Sequence, residues 1–445
     1  MDFLLERFAT VPEDIAFIDN GRKVTYGSVV ETTNAFTKII QEKNIKHGDI
    51  VLLLGDYSPE LYCFMLALAK NKNIIAPLTR ESVVERSAID EISESQWFID
   101  FSDDIEKIKF ESVDRVAENE ITRKLLESND PGLMVFSSGS TGTPKGILHN
   151  LARVCEKFST PRKKTVAITF LMLDHFGGIN TLLAITSSLG TIVTVRERSV
   201  KAICEAIQDH KVELLPTTPS FLNMLVHAKP NDYYDLSSLN LISYGTEVMP
   251  QATLDRLANI FPNAKLQQTY GLSELGVLRS KSRDDGSLWV KMGGAGFNLK
   301  VVDDILWIKS DFAMLGYLNA PQPFDKEGWF NTQDKVEVDG DYFRILGRVT
   351  DLINVGGQKV YPAEIEEVIL TLDNIEDVAV YGEKNALLGN IIVARVKTRT
   401  EESIKDIKKR IRKACAEKLT NFKVPSKVIF AEDELYSLRQ KKVRS

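Results

Sequence analysis

Leu133-Met134-Val135-Phe136 runs directly into Ser137-Ser138-Gly139-Ser140-Thr141-Gly142-Thr143-Pro144-Lys145-Gly146. Four apolar residues followed by ten rich in hydroxyls and glycines read as a buried strand that delivers a loop. Glycines let backbone N–H groups converge on an anion, hydroxyls add donors, and Lys145 supplies a point charge; together they replace the water around a polyphosphate. The loop is not of the Walker type, which requires Gly, four residues, Gly, Lys and then Ser or Thr, because the residue five after Gly139 is Pro144. A P-loop kinase or GTPase is therefore disfavoured. Standing alone, such a stretch describes a mobile surface loop, so its neighbours must decide.

On both sides of the loop, from Lys23 to about Gly286, short apolar runs alternate with helical patterns. Ile50-Val51-Leu52-Leu53-Leu54 precedes a helix over 59–70 with Leu61, Met65, Leu66 and Ala69 on one face. Further strands are predicted over 74–77, 97–100, 133–136, 166–173, 191–195, 212–215, 241–244 and 266–270. The alternation predicts a mostly parallel α/β sheet, with strands enough for it to be large and divided. After about Ser287 the strands shorten and the turns become charged, as in Asp339-Gly340-Asp341, which predicts a small antiparallel unit. From near Gly347 the pattern runs strand, helix, strand, strand, helix, with Ile404, Ile407, Ile411 and Cys415 on one face of the last helix. The fold class expected is α/β, with a large N-terminal domain over 1–347 made of sheet subdomains plus the antiparallel unit. A small α+β domain over 348–445 follows.

Composition bounds the rest. The 445 residues suggest about three domain-sized units. With 43% hydrophobic and 27% charged residues, disordered, collagen-like and disulfide-scaffold readings fall away. Lys plus Arg number 56 against 62 Asp plus Glu, a formal charge of -6 with no basic footprint for nucleic acid, so any anion must be held locally. Cys63, Cys155, Cys204 and Cys415 form no CxxC pair, which points to reduced thiols rather than zinc or disulfides. The start, Met1-Asp2-Phe3-Leu4-Leu5-Glu6-Arg7, carries no basic region ahead of an apolar stretch, and no run approaches the roughly 18 apolar residues of a membrane span. A cytoplasmic location is expected; the oligomeric state stays open.

Several segments in order now resemble the acyl-adenylate-forming superfamily, which includes acyl-CoA synthetases, peptide-synthetase adenylation domains and firefly luciferase. Ser138 to Gly146 looks like its phosphate loop, Tyr244-Gly245-Thr246-Glu247 resembles its adenine-site segment, and Thr269-Tyr270-Gly271-Leu272-Ser273-Glu274 is similar to its Tyr-Gly-x-Thr-Glu motif. Trp329-Phe330-Asn331-Thr332-Gln333-Asp334 resembles the Thr-Gly-Asp motif with Gln333 in place of glycine. Gly347-Arg348-Val349-Thr350-Asp351, with Gly356-Gly357 and Pro362-Ala363-Glu364-Ile365-Glu366, looks like the hinge region. The likeness extends from Val24-Thr25-Tyr26 to Arg444.

The resemblance implies two half-reactions: a carboxylate attacks the α-phosphorus of ATP to give acyl-AMP and pyrophosphate, and a thiol then takes the acyl group. By resemblance Ser138, Gly139, Ser140, Thr141, Gly142, Thr143 and Lys145 hold the phosphates, and Ser273 contacts the α-phosphate. Glu274 coordinates Mg²⁺, a hard ion that commonly takes one carboxylate plus phosphates. Tyr270 and Gly271 offer a surface for adenine, with Tyr244, Gly245 and Thr246 at its edge; Asp334 suits the ribose hydroxyls, and Arg348 ribose or phosphate. His175, in Leu173-Asp174-His175-Phe176-Gly177-Gly178, sits where acyl, phosphate and thiol sites would meet; a histidine alone is more often structural, and motif order singles this one out.

The end of the chain departs most from the pattern. The family closes with Leu-Pro-x-Thr-x-x-Gly-Lys, whereas this chain has Leu435-Tyr436-Ser437-Leu438-Arg439-Gln440-Lys441-Lys442. Lys442 is the candidate catalytic lysine, with Lys441 a substitute and a solvated basic tail the plain alternative. Thr350 occupies a hinge position that is usually charged, which still permits swinging because hinges need backbone freedom. Gly356 and Gly357 would let an extended pantetheine pass, and the segment before Glu364 resembles CoA ligases more than amino-acid-activating domains. CoA is the expected acceptor, with an acyl carrier protein as runner-up; a small or medium carboxylic acid is the expected substrate. A nucleotide-binding member that no longer catalyses stays as the alternative of a different class.

Overall fold

The computed structural model describes residues 2–101, 107–137, 143–385, 389–431, 435–436 and 442. Two seven-stranded sheets make most of it. The first runs Lys265–Gln268, Leu241–Tyr244, Leu214–Thr217, Val166–Ile168, Thr191–Thr194, Ile15–Asp19, Arg22–Thr25, parallel throughout except for its final hairpin. The second runs Gly316–Tyr317, Lys145–Asn150, Gly132–Ser137, Ile74–Leu78, Ile50–Leu54, Trp97–Asp100, Lys109–Ser112, parallel at its centre and antiparallel at both edges. The division into sheet subdomains read from the alternation takes the form of these two sheets.

The helix Pro59–Lys70 shows why one apolar stripe was an incomplete reading. Ser58 accepts the Leu61 N–H at 3.1 Å and proline occupies the first turn, so the start is well capped. Nearly every residue from Pro59 to Ala69 is then buried, because the core it joins draws side chains from both large sheets, including Phe17 and Ile192 of one and Val51 and Val135 of the other. The predicted strand over 166–173 also shortens to Val166–Ile168. Phe170, Met172 and Leu173 stay buried, but the backbone leaves the sheet, Leu171 offering its carbonyl to the Tyr57 hydroxyl at 2.9 Å, and so carries Asp174 and His175 to the sheet end.

An antiparallel six-stranded sheet follows in the order Arg279–Ser282, Val290–Gly293, Tyr342–Arg348, Phe330–Asp339, Ile305–Ser310, Phe297–Val302, beginning slightly earlier than the pattern suggested. Beyond it the hairpin Ile353–Val355 and Gln358–Val360, helix Pro362–Leu370, strands Ile375–Asn385 and Gly389–Thr398, helix Ile404–Lys418 and strand Lys427–Phe430 enclose a core of their own around Ile365, Val380, Ile392 and Ile411. The last helix buries Ile407, Ile411 and Cys415 but leaves Ile404 at 38% exposure in its first turn. All four cysteines are buried and in no disulfide, and among the described residues no helix is long and apolar enough to cross a membrane.

Gln333 holds φ at +62°, in the left-handed region that a Cβ disfavours, at the position where the resembling motif has glycine. The conformation is imposed by its neighbours: the Gln333 N–H is tied to Asn331 Oδ1 at 3.0 Å and the Asp334 N–H to Thr332 Oγ1 at 3.0 Å. Relief of the left-handed cost exceeds the extra unfolded-state entropy of glycine, so Gln333→Gly should stabilise the chain by about 0.5–1 kcal/mol. Denaturant titration checks this; an unchanged or lower midpoint would show that the glutamine side chain contributes more than its backbone costs.

Candidate active site

The antiparallel strand pair Gly132–Ser137 and Lys145–Asn150 sets Ser137 opposite Lys145 and Phe136 opposite Gly146, so the glycine- and hydroxyl-rich stretch lies in sequence between the two paired strands. Ser138, Gly139, Ser140, Thr141 and Gly142 lie outside the described residues. The far stem is clamped by Asn319, whose amide donates to the Pro144 carbonyl at 2.8 Å and accepts from the Gly146 N–H at 3.0 Å. Lys145 Nζ lies 5.4 Å from the centroid of the Tyr317 ring, and the Tyr317 hydroxyl donates to Glu274 Oε1 at 2.7 Å. Burial, then the Glu274 charge, pushes the Tyr317 hydroxyl up, which keeps it a donor. Lys145 and Glu274 therefore share one aromatic neighbour.

The segment around Glu274 is fixed by close backbone contacts. The Thr269 N–H donates to the Tyr244 carbonyl at 2.7 Å, and a Cβ at Gly245 would stand 2.6 Å from Thr269 Oγ1, so only glycine fits where the two segments cross. Thr246, next in the chain, has φ at +72°, a strained conformation for a β-branched residue and one that turns this segment into the cleft. Gly271-Leu272 pairs with Gly276-Val277, making a small hairpin that presents Ser273 and Glu274 at its end.

His149, absent from the sequence reading, locks these parts together. It is fully buried on the strand that begins at Lys145, its Nε2 meets the Ser273 carbonyl at 2.7 Å, and its ring lies 4.7 Å from that of Phe176, the residue after His175. A carbonyl only accepts, so the proton is on Nε2, leaving Nδ1 buried without a partner among the described residues. Burial brings the ring down to about 4. The available signal was a polar residue sharing the inward face of a strand with Ile147.

Lys145, His175, Gly245, Thr246, Gly271, Ser273, Glu274 and Arg348 line one cleft of about 1190 Å³. Tyr244, Tyr270 and Asp334 stand buried behind its wall, and the Tyr270 hydroxyl donates to Asp334 Oδ2 at 2.5 Å while Arg348 Nε donates to Oδ1 at 3.3 Å. Burial raises the Asp334 carboxyl, with Arg348 and Tyr270 working against that rise. His175 occupies the cap position of helix Phe176–Ser187, where its carbonyl accepts from Gly178 and Ile179. Among the described residues no group of three His, Cys, Asp or Glu could enclose a metal, so a divalent ion here would need phosphate oxygens beside Glu274, which suits Mg²⁺.

The remaining candidates lie elsewhere. Gly356 and Gly357, with φ of +57° and +85°, form the two-residue turn of an exposed hairpin, and Thr350 is exposed in the short turn Val349–Asp351. Lys442 lines a separate depression of about 460 Å³ with Asp351, Pro362 and Tyr381. Its Nζ donates to Asp377 Oδ1 and the Val378 carbonyl, both at 2.9 Å, and its backbone N–H donates to Glu247 Oε1 at 2.6 Å.

The sequence profile of the AMP-binding enzyme family matches residues 4–318, and that of the AMP-binding enzyme C-terminal domain matches residues 364–442. The chain belongs to the AMP-binding enzyme family. Among its relatives, 4-coumarate--CoA ligase 4 of Arabidopsis thaliana is 25% identical over 84% of this chain and 77% of that protein. 4-Coumarate--CoA ligase 1 of Petroselinum crispum is 27% identical over 86% and 82%. Among solved structures, the anthranilate CoA ligase AuaEII in complex with anthranoyl-AMP superposes with a TM-score of 0.83 at 20% identity, covering 100% of this chain and 95% of that one. ATP-bound MatB from Rhodopseudomonas palustris gives 0.80 at 20% identity, over 98% and 96%. At those identities the structural likenesses establish the fold of the family and no more.

The neutral His149 ring has a consequence for acid stability. Between pH 6.5 and about 4 the unfolded chain binds a proton there and the folded chain does not, so its contribution is fully present above 6.5 and is lost as the pH falls toward 4. The total is on the order of 3 kcal/mol. His149→Gln keeps an N–H for the Ser273 carbonyl and cannot titrate. The stability difference between the two proteins, measured by denaturant at pH 7.5 and 4.5, should shrink or reverse at the lower pH. His227, also brought down to about 4 by burial, cancels in that difference; parallel pH curves would show that His149 is not the group responsible.

Proposed function

We propose that the protein activates a carboxylic acid with ATP and passes the acyl group to a thiol, that of CoA in the first instance. The observation that carries this reading is the convergence on one cleft of a phosphate-loop lysine, a single metal-suited carboxylate, a histidine at a helix cap and an exposed arginine. In the first step a carboxylate oxygen bonds to the α-phosphorus of ATP, the bond to the bridging oxygen of the β-phosphate breaks, and pyrophosphate leaves with that electron pair. In the second a thiolate attacks the acyl carbon, the bond to AMP oxygen breaks, and AMP leaves; the thiol proton goes to solvent or a base.

Two anions must meet in the first step, so catalysis rests on positioning and charge neutralisation. Ser138 to Thr143 and Lys145 would hold the β- and γ-phosphates, Ser273 the α-phosphate, and Glu274 a Mg²⁺ whose charge offsets that of the phosphates. Gly245 and Thr246 would face the adenine edge, with Tyr244, Tyr270 and Gly271 behind and beside the ring. Asp334 and Arg348 would meet ribose, and for Asp334 this means exchanging the Tyr270 hydroxyl for a ribose hydroxyl. His175 would stand between the acyl and thiol paths.

We place the division between a body over 1–347 and a smaller domain over 348–445, with Thr350 as pivot and Gly356 and Gly357 as the acceptor passage. In this arrangement Lys442 belongs to the domain interface. Its entry into the cleft requires the small domain to turn and Asp377 to release it. The names of the relatives, which are CoA ligases, favour CoA over a carrier protein. Catalysis of this kind needs no membrane, in keeping with the cytoplasmic location read from the sequence.

Acid-dependent ATP–pyrophosphate exchange over a panel of carboxylic acids tests the reading. Lys442→Ala should lower exchange by about 100-fold or more with ATP binding retained, as for removal of one transition-state donor, and Glu274→Gln should weaken the dependence on Mg²⁺. Exchange undiminished in Lys442→Ala but lost in Lys441→Ala would move the catalytic role by one residue. Tight ATP binding without exchange for any acid would leave a nucleotide-binding protein of this fold.

A further inference from the structure

The cleft has a second cationic end that the two half-reactions leave unused. Lys157, at the end of helix Leu151–Glu156, Arg162 in the segment after it, and Arg279, first residue of strand Arg279–Ser282, all line it. Lys157 is the inner member. Its Nζ donates to Asn180 Oδ1 at 3.0 Å and to the Val277 carbonyl, which commits two of its three N–H groups to neutral acceptors. Val277 belongs to the same small hairpin as Gly271, and Asn180 to the helix that His175 begins, so this lysine is seated on the walls of the candidate site.

Charge accounting makes the trio unusual. Elsewhere half-buried cations such as Arg198 and Lys423 are paired, with Asp56 and Glu364 respectively. The charges acting on Lys157 are instead Arg162 and Arg279, and Arg279 acts likewise on Arg162. Burial first, and then these like charges, bring the Lys157 ammonium down to about 7. Among the described residues, the cleft's own carboxylates are Glu81, Glu85 and Glu274, and none of them forms an ion pair with any of the three cations. Lys157 is half-buried while Arg162 and Arg279 stand exposed at the rim of the cleft; a half-buried ammonium facing like charges without a counter-ion is costly, and a bound anion removes that cost.

Position says what that anion is attached to. From His175, at the helix cap, to Asn180, which holds Lys157, is five residues, an axial offset on the order of 7 Å at a helical rise of about 1.5 Å per residue. The wall between them and beyond is formed by Thr181, Ala184, Leu214 and Val277, mostly apolar. A ligand spanning the two ends has one carboxylate near His175 and the phosphates, an uncharged middle, and a second anion on the trio. Resting on the reading of this cleft as acid-activating, we propose that the acid activated is a dicarboxylate, aryl or of medium length, whose distal carboxylate is held by Lys157, Arg162 and Arg279.

Matched pairs test this in acid-dependent pyrophosphate exchange: glutaric, adipic, pimelic and benzenedicarboxylic acids, each against its monomethyl ester. For at least one diacid of suitable length, kcat/KM in the unaltered chain should exceed that of its half-ester by about tenfold or more, the range for a hydrogen bond between charged groups. Lys157→Met combined with Arg279→Met should bring that ratio toward one through KM for the diacid, and Arg279→Lys should keep most of it. Since the comparison within the unaltered chain needs no variant, a misfolded variant does not remove the test. Half-esters and simple monoacids used as well as every diacid would overturn the proposal while leaving acid activation in place, and so would a rise confined to KM for ATP. Absence of exchange with any acid would remove the underlying reading and this one together.

Discussion

A single hydrogen bond, from the His149 ring to the Ser273 carbonyl, ties the candidate site together. It joins the strand that follows the phosphate loop to the hairpin end that presents Glu274, and through the Phe176 ring it touches the helix that starts at His175. The bond forms in full burial, where an imidazole can persist only as the neutral species. Three chain segments more than a hundred residues apart at their extremes are thus referred to one another by a group that cannot exchange its partner for water. Around it the tolerances are small: the Gly245 backbone touches Thr269, the Thr269 N–H reaches Tyr244, and Asn319 grips both sides of Pro144-Lys145-Gly146. Rigid walls of this kind let cationic groups act on phosphate without reorganising.

How far the sequence could be read follows from which forces are local. Strands such as Ile50–Leu54 and Ile74–Leu78 were legible because burial on both faces leaves an unbroken apolar run. The stretch after Phe136, the Tyr270 to Glu274 segment and the Thr332 to Asp334 segment could be read as family motifs because local chemistry selects residue types there. What failed to show was tertiary. Phe170 to Leu173 is as apolar as a strand, but its carbonyls leave the ladder for partners such as Tyr57. Tyr317 and Asn319 reach the site from a short edge strand and its flank, distant in sequence and bare of any motif. Nor does any local pattern distinguish Lys157, whose meaning lies in its neighbours.

The two departures from the family pattern have different physical status. Gln333 stands where φ is positive, so the fold keeps the backbone conformation and absorbs the cost of a side chain. Lys442 keeps its residue type in an altered surrounding and is held by Asp377, with its side chain 9% and that of Asp377 2% exposed. A buried pair gains little over an apolar contact, but removing one partner leaves an uncompensated charge. The pair therefore works as a specific seat. The same strand that seats Lys442 begins beside Asn223, whose amide donates to the Glu376 carbonyl, and Arg256 donates to the Leu370 carbonyl, so polar bonds join small domain and body among the described residues. Interfaces of that kind are the ones along which domains turn.

Charge along the cleft then supplies the last step of synthesis. At one end Lys145 lies against Tyr317 and Glu274, a cation and a carboxylate separated by an aromatic ring, which is nearly balanced until a polyphosphate and a divalent ion enter together. At the other end Lys157, Arg162 and Arg279 line the cleft together, and none of the described carboxylates that line it forms an ion pair with them. A ligand with one carboxylate would satisfy the first end and leave the second as it is; a ligand with two would relieve repulsion already built into the fold. Differential binding of this sort acts on recognition before any bond is made, because the distal group is remote from the reacting carbon and can fix the near carboxylate in line with the phosphorus. On the proposed reading, the basic end of the cleft would measure the acid and the loop-bearing end would transform it.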